Sequence, residues 1–522
     1  MATYTYYIDQ VSGNDSTGSG TRLAPWKTLG KCIESNSALV ANDTVNIVNT
    51  SSAQPETAVN DRIYMLDANH RVNVVVTSEN VRLKVNRNAG GAFYYAASGA
   101  AALTFSIDGL DWTSDGVDVT IFNCGVSGSG VSLSVANASL TVTNSTGSIL
   151  FNQPNSPTTT GLDQTFSNVV TAGLFRIGGG GDMGDVSFTD CALPLAGATP
   201  SNNHLVTIGL INTLSFLRTT FTAAHSELGT NNFLYIVPQR TTLISIVDCI
   251  IGDSGCTAHT NGSGIVITAP NQTTGAAACD IIITGNGFNL TKVETAAIKI
   301  GSPPPDSTTR AAYYASTFSG GKLFGNIHVA HNSITSKRGI SLGVGCDHAV
   351  YEHNYAKVTE AGHMWETTAN DVVFRYNYHV GGLCCLLFGD RPQCYGNVLH
   401  GVYDNYVVLL IGESSTSGWG WTIGGFVTDN LLIQEGNANP NPAYVLSDYT
   451  YNGGAQTITT VFDRNTIVQL GDDAAMNINR TECATIAAAR VQWAALNMPN
   501  NDSNSRLGGG LRARDGWTGT LA

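Results

Sequence analysis

The feature that most constrains this chain is a strand ending that recurs at a near-fixed interval. In the C-terminal half, Val329-Ala330-His331-Asn332, Tyr351-Glu352-His353-Asn354, Phe374-Arg375-Tyr376-Asn377, Cys394-Tyr395-Gly396-Asn397, Val427-Thr428-Asp429-Asn430 and Phe462-Asp463-Arg464-Asn465 all run into a terminal Asn. Successive Asn positions lie 22, 23, 20, 33 and 35 residues apart. A period of that length, stretched only where loops enter, marks a solenoid. The N-terminal half carries a looser version at Asn123, Asn144, Asn168, Asp190, Asp248 and Asn286. Asn tolerates left-handed backbone angles at a bend, and stacked amides can bond from coil to coil. The expected fold is all-β, a right-handed parallel β-helix, with Asn332, Asn354, Asn377 and Asn397 stacked at equivalent bends.

A chain of 522 residues would ordinarily divide into several domains. A solenoid escapes that limit, because each coil needs only its neighbours. Charged residues make up 12% and glycines number 57, which favours strands and turns over helices or disorder. The formal net charge of −13, with no dense Lys/Arg stripe, argues against a nucleic-acid partner. Met1–Gln10 has neither the basic start nor the apolar core of a secretory signal. The longest apolar run, Val407–Ile411, is strand-sized and argues against a membrane span. The 11 cysteines lack metal-ligand spacing, and Cys124, Cys191 and Cys249 each follow a bend residue. That repeating position predicts buried free thiols and folding in a reducing cytosol.

Both ends read as caps. Tyr4–Asp9 is a strand, Gly13-Asn14-Asp15 a loop, and Ala24-Pro25-Trp26-Lys27-Thr28-Leu29 the opening to a short helix. With Asn42–Ile47 as a first solenoid strand, and Thr485–Trp493 followed by Asn500–Ser505 as a closing segment, the chain resembles pectate-lyase-like β-helix proteins. The organisation expected is a cap over 1–40, a solenoid over 41–480 and a cap over 481–522. Proline and glycine place surface loops near 302–319 and 436–456. The resemblance carries fold and little function, since the architecture hosts unrelated activities. The clustered Asp residues of calcium-dependent lyases, and the Asp motifs and Gly-His-Gly of polygalacturonase-type hydrolases, are absent from this sequence.

Aligning coils on the Asn period also aligns a following strand, with Leu342, Trp365, Phe388 and Ile411 as core. Ser341, Met364, Leu387 and Leu410 then face outward, and a strand apolar on both faces is normally covered on both. Two occupants fit: the Ser414–Gly425 loop, or a neighbouring subunit with Met364, Leu387 and Leu410 as its interface. Just past these strands Glu366, Asp390 and Glu413 recur at intervals of 24 and 23 residues. Carboxylates on neighbouring coils approach the roughly 5 Å of a retaining glycosidase, and those two coils apart the roughly 6.5–9.5 Å of an inverting one. They are the candidate catalytic groups, with Arg391, Trp419 and Trp421 as candidate glycan contacts; the competing reading is chance register beside turn glycines. His331 and His353 read as turn residues, since two histidines without a third ligand make no metal site. Glu352 and Arg375 should form a surface ion pair.

A long solenoid without an export signal, with buried thiols and a wall apolar on both faces, most resembles bacteriophage virion β-helix proteins, made in the host cytoplasm. The expectation is a trimeric spike or capsid-decoration protein, located in the virion. Its partners would be other virion proteins and host-surface polysaccharide, with no nucleic acid, no membrane, no metal and no cofactor. The alternative is a polysaccharide lyase or endo-glycosidase of the tailspike depolymerase type.

Overall fold

Alternation builds the strands. Leu243–Val247 buries every second side chain, as do Tyr378–Gly381 and Leu431–Gln434, so one face of each packs inward. The computed structural model describes, with interruptions, residues 5–27, 31, 44–47, 64–142, 148–254, 262–301, 324–411, 424–470 and 476–507; between 44 and 132 it describes the backbone alone. Two compact units emerge: Met1–Gly262 with Pro270–Cys279, and Ser263–Ala269 with Asp280–Ala522. Each is a right-handed parallel β-helix. Among the described residues no helix is long and apolar enough to cross a membrane.

The first unit opens with Thr5–Ile8, parallel to Thr44–Ile47. The loop after it is held by side-chain oxygens. Asp9 Oδ1 accepts from Ser12 N–H at 3.0 Å, and Asn14 Oδ1 from Ser16 and Thr17 N–H at 2.8 and 3.0 Å. Trp26 stacks on Tyr6 at 5.6 Å and donates to Gly18 O at 3.0 Å. In later coils Val135, Phe166, Phe188, Phe216 and Ile246 align across successive strands. Their three phenyl rings stack at 4.7 and 4.8 Å. These strands end in left-handed residues, Asn137, Asn168, Asp190, Arg218 and Asp248. A buried Ala138, Val169, Cys191, Thr219 or Cys249 follows each.

The second unit closes its bends differently. Asn286, Asn332, Asn354, Asn377, Asn397, Asn430 and Asn465 are all buried. Each Nδ2 donates to the next Oδ1, at 2.9, 2.9, 3.1, 3.0, 2.9 and 3.0 Å along the series. The same oxygens also accept the backbone N–H of the preceding Asn. The expected ladder is therefore present, but for a different reason. The left-handed angle belongs to the residue before each Asn (Gly285, His331, His353, Tyr376, Gly396, Asp429, Arg464), so Asn is required for its amide and not for its φ. In the first unit Asn168, Asp190 and Asp248 occupy that preceding position, one residue from the ladder site. Asn123 lies in a strand opposite Asn152, and Asn144 lies outside the described residues.

Two rows fill this unit's interior. Before the bend run Val329, Tyr351, Phe374, Cys394, Val427 and Phe462. After it run Phe288, Ile334, Ala356, His379, Leu399, Leu432 and Ile467. At the C-terminal end the antiparallel hairpin Met476–Ile478 and Thr481–Cys483 leads into the helix Ile486–Ala495. Thr485 caps that helix, accepting from Ala488 N–H at 3.1 Å. Trp493 is buried, stacks on Phe462 at 6.0 Å and donates to Asp502 at 2.6 Å.

The expected thiols are free and buried at Cys191 and Cys249, where each donates to a backbone carbonyl; the Cys124 side chain is outside the described set. The register of the third strand row needs correction. Leu342 faces Thr367, Thr367 faces Leu387 and Leu387 faces Ile411. Leu387 is thus a core residue, 0% exposed, and not part of an outward row. The apolar run Leu386-Leu387-Phe388 satisfies the alternation in two frames, and a one-residue slip exchanges the faces. Leu410 shares its register position with Leu386 and Val445, and Met364 lies outside the described residues. Inside the loop expected over 436–456, Tyr444–Leu446 is a strand paired with Leu409–Ile411. The loop expected over 302–319 and the Ser414–Gly425 segment up to Ile423 fall outside the described residues.

Candidate functional site

Within the candidate acidic stack, Glu366 and Asp390 do not share a register. Glu366 lies within Trp365–Thr367, opposite Ser341 on one side and Leu386 on the other. Asp390 sits at a bend, where its N–H donates to Asn370 Oδ1 at 3.0 Å, and Asn370 N–H donates to Asp347 Oδ1 at 2.8 Å. Asp390 lies four residues beyond Leu386, the register partner of Glu366, so the spacing of 24 residues does not align the two. Glu413, Trp419 and Trp421 lie outside the described residues. Arg391 is held bidentately by Asp371, with both contacts at 2.7 Å. That guanidinium holds the Asp371 carboxyl below the usual carboxylate range.

A different group of side chains comes together on the outer face of the second unit. Strands Phe324–Ala330, Val350–Glu352, Val373–Arg375 and Gln393–Tyr395 are successive neighbours. Their inward row is apolar, so the alternate positions carry polar groups to the surface. Glu352, Arg375 and Tyr395 occupy one outward row, and His328, Val350, Val373 and Gln393 the other. Glu352 accepts from Arg375 Nε at 2.6 Å and from His328 Nε2 at 2.9 Å. Arg375 Nη1 also donates to Tyr395 Oη at 2.9 Å. The expected Glu352–Arg375 pair is therefore the centre of a four-residue network spanning four coils. Partial burial works to raise the Glu352 pKa, but the hydrogen bonds and charges of Arg375 and His328 outweigh it and hold the carboxyl below its ordinary value. Tyr395 and Glu352 together push the Arg375 pKa upward.

Beside this network the left-handed bend residues line up as rings. His331 and His353 stack at 5.2 Å, and His353 and Tyr376 at 5.3 Å. Tyr376 meets Tyr395 edge-on at 5.6 Å, and Tyr395 lies 5.7 Å from Phe426. Tyr376 is 50% exposed. Both histidines are turn residues, as expected, at φ 56 and 54. Among the described residues no group of three or more metal-ligating side chains gathers anywhere. The strip is amphipathic, with ring edges and faces next to a fixed carboxylate and guanidinium. Such a surface offers hydrogen-bonding groups and apolar ring faces side by side. Sequence reading missed Tyr376, Tyr395 and Gly396 as a group. The available signal was the aromatic residue directly before the ladder Asn in three consecutive coils.

A second constellation lies inside. His379, fully buried, takes a place its row otherwise gives to apolar residues. Its Nδ1–H donates to Cys384 O at 3.1 Å, leaving Nε2 to accept from Tyr351 Oη–H at 3.2 Å. Burial lowers its pKa to about 4, so the core holds a neutral imidazole.

No family model matches this chain, and no curated protein matches it. Among solved structures it is similar to the native lacto-N-biosidase from Eubacterium ramulus, of group GH136, at 10% identity and a TM-score of 0.15, over 97% of this chain and 68% of that one. The selenomethionine form of the same enzyme matches at 10% identity and a TM-score of 0.15, over 97% and 67%. At that level the likeness carries no argument about what this chain acts on.

Proposed function

We propose that this chain is a glycan-binding β-helix surface protein of the bacteriophage virion, a homotrimeric spike or capsid-decoration protein that meets host-surface polysaccharide through the strip from His328 to Tyr395. The observation that carries the reading is the exposed ring row beside the Glu352–Arg375 pair. A repeating coil presents such groups at regular intervals, which suits a repeating ligand. Binding is favoured over cleavage. Within the four strands and the Asn bends that close them, Glu352 is the only carboxylate among the described residues, and it is held ionised. Glycoside hydrolysis requires a pair of carboxyl groups, one of them protonated.

The test is a panel of host-surface polysaccharides and their oligosaccharides titrated against the whole protein. At least one should bind without being shortened. Arg375→Ala, which releases both Glu352 and Tyr395, should weaken that binding roughly tenfold. If no glycan of the panel binds, the reading fails; if the chains are shortened, the depolymerase alternative replaces it. Light scattering should report a trimer, and a strict monomer at micromolar concentration would remove the homotrimer from the proposal.

A further inference from the structure

The charges of the strip cancel within it. Glu352 is met by both Arg375 and His328, and the Arg375 charge is answered by Glu352. Farther along the same bend row Asp429 is held by Arg464 at 2.9 and 2.7 Å. At the other end of the strands Arg391 is held by Asp371. Every arginine on these described strands and bends thus has a carboxylate in contact, and the chain as a whole carries a formal net charge of −13. A uronate or sialate carboxylate would have to compete with Glu352 for Arg375 while entering a field of the wrong sign. A neutral sugar meets neither obstacle. Its hydroxyls donate to a carboxylate and accept from a guanidinium without separating the two.

The bend row also changes level at one coil. Gly396 has φ 68, close to the values at Tyr376, Asp429 and Arg464, where larger residues tolerate the same angle. The backbone alone therefore does not demand glycine there. The neighbouring ring does: a Cβ at Gly396 would lie 2.7 Å from both Cδ1 and Cε1 of Tyr376. The Tyr376 ring occupies the space a side chain would fill, half exposed, with Tyr395 edge-on beside it. The result is a ring-floored step about one coil, roughly 4.8 Å, along the solenoid.

We infer that the strip takes a neutral, linear glycan laid across the coils, with one sugar ring seated at the Tyr376–Gly396 step. The inference rests on the glycan-binding reading above and narrows it to a chemical class. The whole protein is titrated with neutral linear hexasaccharides (gluco- and xylo-configured) and with oligogalacturonate of equal length, at low and at high salt. The neutral series should bind, with an affinity that salt leaves unchanged, because no net charge is exchanged. Gly396→Ala should displace the Tyr376 ring, and Tyr376→Asn should remove it while keeping a residue that accepts the left-handed angle. Each variant should weaken neutral-glycan binding roughly tenfold with the far-ultraviolet circular dichroism unchanged. Tighter, salt-sensitive binding of oligogalacturonate would overturn the inference and leave the glycan-binding reading standing. So would neutral binding that neither variant affects. Failure of the broader polysaccharide panel to bind at all would overturn both.

Discussion

The two units make the same bend and seal its inner corner with different chemistry. In the first, a buried Ala138, Val169, Cys191, Thr219 or Cys249 follows the left-handed residue, and the cysteine thiols donate to backbone carbonyls, Cys191 to Thr189 of its own coil and Phe166 of the coil before, and Cys249 to Val247. In the second, a buried Asn follows, and each amide bonds to the coil beyond it. The first corner needs only a small residue that fits. The second needs one residue type repeated without a break, since each amide oxygen accepts two N–H groups from the preceding Asn. Removing a link there strands polar groups on neighbouring coils, whereas removing a thiol leaves only a small gap. The outer edges differ in parallel. Both units pair left-handed residues across coils, Asp190 with Arg218 in the first and Asp429 with Arg464 in the second, but the second also carries the stacked rings His331, His353 and Tyr376.

The largest effect that separates the units should come from His379, a feature with no counterpart among the described residues of the first unit. Its folded pKa, lowered by burial to about 4, lies below the ordinary 6.5. The unfolded chain therefore binds the proton more readily, and stability rises with pH across that interval. The contribution is fully present above pH about 6.5 and is lost as pH falls towards about 4, on the order of 3 kcal/mol in all. Urea unfolding over that range should record the loss, and His379→Leu should flatten the slope relative to the parent protein. An unchanged slope would mean that the imidazole is not held neutral in the core.

Next in size is the ladder itself. Asn377→Leu should cost about 2–3 kcal/mol, because the N–H and Nδ2 of Asn354 lose their shared acceptor while Asn397 Oδ1 loses the Nδ2 donor and keeps only the backbone N–H of residue 377. Cys191→Ala, at the equivalent corner of the first unit, should cost only about 1 kcal/mol, the value of a small buried group. Equal costs in thermal or urea unfolding would erase the distinction between the two corners. The smallest effect belongs to the exposed Asp190–Arg218 pair, at 2.6 Å. Arg218→Ala should leave the melting temperature unchanged at physiological salt, since exposed ion pairs are screened. A measurable drop would show that the outer edge of the first unit contributes to its fold.

The legible parts of this molecule are those where each coil repeats a chemical demand. The ladder from Asn332 to Asn465 could be read from spacing because its hydrogen bonds need the same amide at every turn. The Glu352–Arg375 pair followed from the same alignment, two positions before the ladder Asn. Alignment failed at Leu387 and at the Glu366–Asp390 pair, where an unbroken apolar run and loops of unequal length allow more than one frame.

What the sequence determined by itself was the period, the alternation of faces and the position of the buried thiols, since these depend on residues within one coil or on a strict repeat between coils. Only the tertiary structure decided the register of the third strand row, the neutral histidine beneath Tyr351 and the surface strip of rings around Arg375. Those depend on which residues of separate coils become neighbours. That adjacency is set by parallel pairing across loops of variable length, and spacing along the chain does not record it.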